Sequence, residues 1–332
     1  MTAASGEFAM HAVVLHTFGP AENLRYESVP DPEPGPGQVR IAVRAAGVHL
    51  IETTMRSGLT GGMTPPLPEL PAIFGGEVAG RVDQVGPGVD PSWIGRDVVT
   101  AQGRPGGYAE LAVADVTSVH PIASGYETAV AMIVTGVTAL QFLDVAGLTP
   151  DDVVLVTSAA GGIGRLIVQY ARGLGATVVG AAGGPAKVAA VRDLGADLAV
   201  DYEQPGWEES VAKELGDHPV TALLDGVGGD RARAAFGLLA DGGRYVTIGN
   251  ASRQDFQPDP QTVKERGLTV TNALLLLLGD PSTRPAYEVR ALAAAADGTL
   301  TPAVQTFPLS EAAAAHAALE SRRTSGKVVL IP

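Results

Sequence analysis

Between residues 153 and 271 the chain alternates short apolar runs with amphipathic stretches, and nothing else in it restricts the fold as much. The runs at 153–156, 177–179, 198–200, 222–224, 244–248 and 268–271 have strand length. Helical patterns at 164–172, 185–193, 207–215 and 230–239 fall between the first five. Gly173, Gly175, Gly195 and Gly216 stand where helix C-termini should stop, because glycine takes the left-handed closing conformation without a steric penalty. Six strands in this alternation predict a doubly wound parallel sheet, an α/β Rossmann architecture.

The first of these strands leads into Ala159-Ala160-Gly161-Gly162-Ile163-Gly164, which opens the first helix. This is the dinucleotide fingerprint with Ala159 in place of its first glycine. Gly161 lets backbone approach a pyrophosphate, and Gly164 lets the helix pack closely on the strand. The free N–H groups and dipole at the helix start attract the anion. Alone, such a loop is also a tight turn; at the head of six alternating strands it reads as a cofactor site. An NAD site usually offers a carboxylate at the end of the second strand for the ribose 2′-hydroxyl. Here residues 179–187 contain no acid. Gly183 leaves room and Lys187 offers a point charge to a 2′-phosphate, which favours NADP(H); the alternative is a solvated helix lysine.

The first third reads differently, as short strands at 11–16, 39–43, 77–85, 97–101 and 108–113 separated by Gly and Pro, which predicts a compact β-rich domain. A helical pattern covers 128–143. Near the end come a helix at 287–296, a strand at 303–307, a helix at 311–321 with Ser310 as N-cap, and a strand at 327–331. The expected layout is a β-rich domain of residues 10–130 and 279–332, interrupted by a dinucleotide-binding domain at 131–278. At 332 residues the chain is long enough for two cores.

Composition removes several function classes. The formal charge of −13 disfavours phosphate backbones and anionic lipid as partners, and no Lys/Arg cluster offsets it. The absence of cysteine excludes disulfides, thiolate zinc ligands and cysteine nucleophiles, and fits a reducing cytoplasm. No uninterrupted apolar run approaches the ~20 residues of a membrane span. Residues 1–9 lack the basic start and apolar core of a signal peptide, and Met10 is a candidate start.

In order along residues 10–332 stand Gly47-Val48-His49, Arg56-Ser57-Gly58, Gly107-Tyr108-Ala109-Glu110, residues 159–164, Asp201-Tyr202, Ala315-His316, Leu319-Glu320-Ser321-Arg322 and Gly326-Lys327 with the closing residues 328–332. Each is short, but in this order they resemble the zinc-independent quinone oxidoreductases, the zeta-crystallin-like branch of the medium-chain dehydrogenase/reductases. The resemblance implies a GroES-like catalytic domain beside the Rossmann domain, NADPH as hydride donor, and a homodimer. By position it implies that Gly161, Gly162, Ile163 and Gly164 hold the pyrophosphate, and that Gly183 and Lys187 hold the 2′-phosphate. It puts Tyr202 beside the adenosine end, Ile248, Gly249 and Asn250 beside the nicotinamide half with Thr135 nearby, and Arg322 near the phosphates. The scaffold alternatives are half-buried packing for Tyr202, a solvated helix end for Arg322 and a turn for Gly249.

Zinc-dependent relatives carry Cys where His49 stands and His where Gly76 stands, and a catalytic zinc needs three protein ligands. With no cysteine and no paired histidine spacing, the sequence predicts no metal site. Members of the resembled branch commonly carry Asn at His49, Asp at Glu52, and Tyr at Thr54 and Thr60. These departures leave open an aromatic quinone or another α,β-unsaturated carbonyl compound as the small-molecule substrate. His49 is the catalytic candidate: it either donates a proton or hydrogen bond to the oxygen that gains charge in the cleft, or merely lines the pocket. Two rivals stand beside this reading: an enoyl-thioester reductase of fatty-acid or polyketide chemistry, and a non-enzymatic RNA-binding or structural protein. The Leu-rich run 274–278 reads as an interface or buried strand, and His316 as packing.

Overall fold

The computed structural model describes residues 9–61, 64–101, 106–278 and 281–332. Residues 1–8, ahead of the candidate start at Met10, lie outside the described residues. In chain order the first part comprises β1 (Ala9–Leu15), β2 (Leu24–Pro30), β3 (Gln38–Val48), α1 (Leu50–Arg56), β4 (Ala72–Ile73), β5 (Glu77–Val85), β6 (Asp97–Ala101), β7 (Leu111–Asp115), β8 (Val119–Pro121) and α2 (Tyr126–Ala131). There follow α3 (Val137–Ala146), β9 (Val153–Thr157), α4 (Gly162–Leu174), β10 (Thr177–Ala182), α5 (Pro185–Asp193), β11 (Leu198–Asp201), α6 (Trp207–Leu215) and β12 (Val220–Asp225). Next come α7 (Gly229–Gly237), β13 (Leu239–Thr247), α8 (Pro260–Glu265), β14 (Thr269–Asn272) and α9 (Arg284–Ala296), then β15 (Val304–Pro308), α10 (Ala312–Glu320) and β16 (Lys327–Ile331).

Backbone contacts divide the chain into two units, Met1–Val134 with Ala303–Pro332, and Thr135–Pro302. The return to the first unit comes at Ala303 rather than at residue 279, which itself lies outside the described residues. The reason is α9: the Tyr287 hydroxyl donates to Asp144 at 2.8 Å and Arg290 pairs with the same carboxylate at 2.7 Å, tying α9 to α3. The division falls within the helical stretch Tyr126–Ala146, which is long and apolar enough to cross a membrane by length and composition but is 78% buried. A single π-helical turn, Met132–Gly136, joins its two α-helical parts.

The second unit carries one parallel sheet in the order β11-β10-β9-β12-β13-β14 with helices in the crossovers, the doubly wound arrangement the alternation predicts. Leu155, Val179, Leu223, Trp207, Phe236 and Tyr245 fill part of its core. Gly175, Gly195 and Gly216 close helices with positive φ, whereas Gly173 lies inside α4. Residues 274–278 form no strand: Ala273–Leu278 is a 3-10 segment with Ala273 buried and Leu275 56% exposed.

The first unit is built on an extended sheet in the order β15-β16-β3-β5-β6-β8, with β7 also pairing β3, beside a small sheet β2-β1-β4. Ser310 does not cap α10; it sits in the 3-10 turn Leu309–Glu311, and the α-helix starts one turn later. The last helix is held by buried polar contacts rather than by its alanines alone. Arg56, 1% exposed, pairs with Glu320 and donates to the Gly19 carbonyl at 2.6 Å. The Tyr108 hydroxyl donates to Glu52 Oε2 at 2.7 Å and lies 3.2 Å from His316 Nε2.

His316 is fully buried, and burial, with the Arg56 charge second, holds its imidazole neutral with a pKa pushed down to about 3. An unfolded histidine titrates near ~6.5, so between these values the unfolded chain takes up a proton that the folded chain refuses. Stability therefore falls as pH drops below ~6.5, with a contribution from this residue of at most roughly 1.4 kcal/mol per pH unit. Urea unfolding at pH 7.5 and 5.0 should show a smaller acid loss in His316→Gln than in the parent chain.

Candidate functional site

The sharpest geometry lies at the carboxyl ends of the parallel sheet. β9 ends at Thr157, Ser158 turns the chain with φ +58, and Gly161 takes the N-cap position of α4 in extended backbone. A Cβ on Gly164 would fall 2.3 Å from the Ser158 carbonyl oxygen and 2.9 Å from Ala159 Cα, so the loop closes on the helix only with glycine there. Alanine is accepted at the first motif position because the neighbouring strand yields instead. Ala159 is buried against Gly180, where an added Cβ would sit 3.3 Å from the Ala159 methyl and 2.3 Å from Val191. Gly226 and Gly249 close the ends of β12 and β13 with the same economy: a Cβ on Gly249 would meet the Gly226 carbonyl oxygen at 2.9 Å.

One carboxylate fixes this loop. Asp225, fully buried at the end of β12, accepts from Thr157 Oγ1 at 2.5 Å, the Val227 and Gly228 amides at 3.1 Å each, and the Tyr245 hydroxyl at 3.2 Å. Burial, with Asp225 second, raises the Tyr245 phenol above its ordinary value, so it stays a donor. Ile248 donates its amide to the Asp225 carbonyl at 2.7 Å. The helix dipole and first-turn amides of α4, which have no acceptor within the helix, point from a backbone held on all sides. The arrangement fits a dinucleotide pyrophosphate.

Gly161, Gly162, Ile163, Gly164, Gly183, Lys187, Tyr202, Ile248, Gly249 and Asn250 thus all follow the carboxyl ends of β9, β10, β11 and β13. Asn250 spends its side chain within its own loop, donating to Asp255 at 2.8 Å. Thr135, buried in the π-helical turn, begins the second unit, while Arg322 belongs to the first, in an exposed turn with φ +56. The strand end at β10 has no acid of its own, but β11 brings one. Asp201 accepts from the Gly184 amide at 2.9 Å, which pulls its carboxyl below the ordinary range and folds the next residues over Gly183. A Cβ on Gly183 would lie 2.7 Å from Glu203 Oε1 and 3.1 Å from Tyr202 Cε2. The Arg231 guanidinium lies 4.8 Å from the Tyr202 ring centre and 3.6 Å from Glu203. Neither Glu203 nor Arg231 announces itself in sequence, since only the strand order brings them to β10.

In the first unit His49 follows β3 and caps α1, its amide donating to Glu52 Oε2 at 2.7 Å. Glu52 also accepts from the Gly75 amide at 3.1 Å, so this departure from the family pattern is a buried group bonded within the fold. Antiparallel pairing of β3 with β16 sets Lys327 opposite His49, and pairing with β5 brings up Glu77. His49 Nε2 lies 2.9 Å from Glu77 Oε1 and 3.0 Å from Lys327 Nζ, and Lys327 pairs with the same Glu77 oxygen. Glu77 is wholly buried and Lys327 is 4% exposed, while the His49 side chain keeps 27% of its surface. These contacts have ion-pair proximity without hydrogen-bond alignment at Glu77. Burial would raise the Glu77 carboxyl, but His49 and Lys327 outweigh it and hold it at about 2. Gly47 makes room: a Cβ there would fall 1.8 Å from Glu77 Oε1. Among the described residues no group of three His, Cys, Asp or Glu side chains has metal-binding geometry.

Residues 35–124 match the alcohol dehydrogenase GroES-like domain family, and residues 194–330 match the family described as zinc-binding dehydrogenase. The chain is 32% identical to a quinone oxidoreductase of Salmonella typhimurium over 96% of its own length and 99% of that protein's. It is 32% identical to a 2-haloacrylate reductase of a Burkholderia species, covering 97% of this chain and 98% of that one. Among solved structures, the mycobacterial protein Rv1454c complexed with NADPH aligns with a TM-score of 0.84 and 33% identity, over 97% of this chain and 100% of that one.

Removing one member of a buried ion pair strands the other, at a cost of about 3–5 kcal/mol. Lys327→Met should therefore lower unfolding stability by that order, and Glu77→Gln combined with it should recover most of the loss. Guanidinium unfolding of the parent, single and double variants measures both.

Proposed function

The chain belongs to the quinone oxidoreductase branch of the medium-chain dehydrogenase/reductase superfamily, and from that premise we propose that it is an NADPH-dependent reductase of quinones or other activated alkenes. The observation that carries this reading is the glycine-lined, Asp225-anchored loop opening α4, with Gly183 and Lys187 at the end of the next strand. When bound, the nicotinamide supplies hydride to an electron-poor carbon, and charge collects on the conjugated oxygen. Gly161, Gly162, Ile163 and Gly164 hold the pyrophosphate through backbone amides, and Lys187 meets the 2′-phosphate. Tyr202 flanks the adenosine; Ile248, Gly249, Asn250 and Thr135 serve the nicotinamide half, and Arg322 the phosphates. A homodimer in the cytoplasm completes the reading. Its support is β14, an edge strand with Val270 41% exposed, and Leu275 beyond it.

His49 is the group we assign to the oxygen that gains charge. Its ring touches both a carboxylate and an ammonium, so a proton leaving it has near neighbours through which to be replaced. The same ammonium supports metal independence: the cation shared by His49 and Glu77 is Lys327. Activity and melting temperature should survive prolonged chelation, and elemental analysis should find no zinc at one per chain.

The substrate class is tested by following NADPH oxidation across quinones, short enones, 2-haloacrylates and enoyl thioesters. Turnover of quinones or enones with kcat/KM well above that of the thioesters supports the assignment. The reverse order would transfer the chain to acyl-chain reduction. With the best substrate, His49→Phe should lower kcat by about 10²-fold and remove an ionisation from the pH profile. His49→Asn should keep much of the activity while losing that ionisation. A near-normal kcat and unchanged profile in His49→Phe would reduce His49 to a pocket wall.

A further inference from the structure

Four unlike groups converge where β10 ends. Gly183 offers backbone without a side chain, Tyr202 an aromatic face, Glu203 a carboxylate and Arg231 a guanidinium. Lys187 follows in the first turn of α5. In a doubly wound fold this strand end decides which ribose substituent is accepted. A carboxylate there suits a 2′-hydroxyl, and a cation suits a 2′-phosphate. This chain holds both, paired with each other.

We infer that Arg231 is a second cation for the cofactor's 2′-phosphate and that Glu203 is its resident counter-ion, so that the pair sets how strongly NADPH is preferred over NADH. The inference rests on the cofactor reading above and deepens it. Arg231 is the third residue of α7, and its guanidinium stacked over Tyr202 has already given up much of its freedom. Its partner is replaceable. The Glu203 side chain is 51% exposed and 3.6 Å away, an ion pair that solvent screens strongly. A phosphate presents three oxygens to a planar fork of donors and competes well with one distant carboxylate oxygen. With NADH there is no phosphate to take the guanidinium, and Glu203 stays available as an acceptor for the ribose hydroxyl. Glu203 therefore opposes NADPH and supports NADH, while Arg231 does the opposite.

Isothermal titration with NADPH, NADH, 2′,5′-ADP and 5′-AMP reads both residues without relying on turnover. Arg231→Ala should weaken NADPH and 2′,5′-ADP by about 10-fold and leave NADH and 5′-AMP nearly unchanged. Arg231→Lys should restore part of the loss. Glu203→Gln should tighten NADPH and 2′,5′-ADP several-fold and weaken NADH. Circular dichroism and thermal melts establish that each variant is folded. Equal losses of all four ligands in Arg231→Ala would make it a support for the Tyr202 ring and overturn the inference. Unchanged NADPH binding in Arg231→Ala, with a loss in Lys187→Ala, would also overturn it and leave the cofactor reading intact. If the parent chain binds 2′,5′-ADP no better than 5′-AMP, the cofactor reading itself fails.

Discussion

The dinucleotide end of this protein hangs on a single buried carboxylate. The Asp225 carboxylate takes donors from the end of β9, from the turn after β12 and from β13, and its carbonyl takes the amides of Ile248 and Gly249, which follow β13. An acceptor group with no exposed surface tolerates no missing donor, so each of these backbones is held where the side chain requires it. That is what keeps Ser158 in a left-handed conformation that costs a non-glycine residue of the order of 1 kcal/mol or more. The loop that opens α4 is thus fixed by protein contacts alone, which lowers the ordering entropy that a ligand there would cost.

The first unit solves a different electrostatic problem with the same economy. Glu77 is buried where three strands meet, and it is balanced by two groups of unequal character, a fixed ammonium and a partly exposed imidazole. The fixed charge is the Lys327 ammonium, itself almost wholly buried beside the carboxylate.

The architecture was legible in the sequence because each layer spoke through local pattern. The periodicity of residues 153–271 predicts the six strands, and the glycine-rich run marks the turn that opens α4. The residues that escaped are those whose partners come from distant strands. Lys327 stood in a recognised closing motif, yet its role appears only through the register of β16 on β3. Glu203 follows a marker residue, but only the order β11-β10-β9 brings it to Gly183, where residues 179–187 contain no acid. Glu52 misled in the other direction, since its change from the family residue is spent on the Gly75 amide and the Tyr108 hydroxyl. Ser310 failed as a cap because a 3-10 turn intervenes, a distinction that residue preferences alone do not make.

The discontinuity of the first unit has a consequence for biosynthesis. Its sheet lacks β15 and β16, and its buried carboxylate lacks the ammonium, until residues 304–331 have left the ribosome. The second unit is continuous in sequence and complete at Pro302. Domains that are contiguous in the chain fold as units during synthesis, so the nucleotide-binding half matures first, although it is encoded second. For that interval the N-terminal strands stand as an open sheet with the β16-facing edge of β3 unpaired, the surface on which nascent chains associate with one another. A stalled or truncated product is thus aggregation-prone at the end opposite to its break.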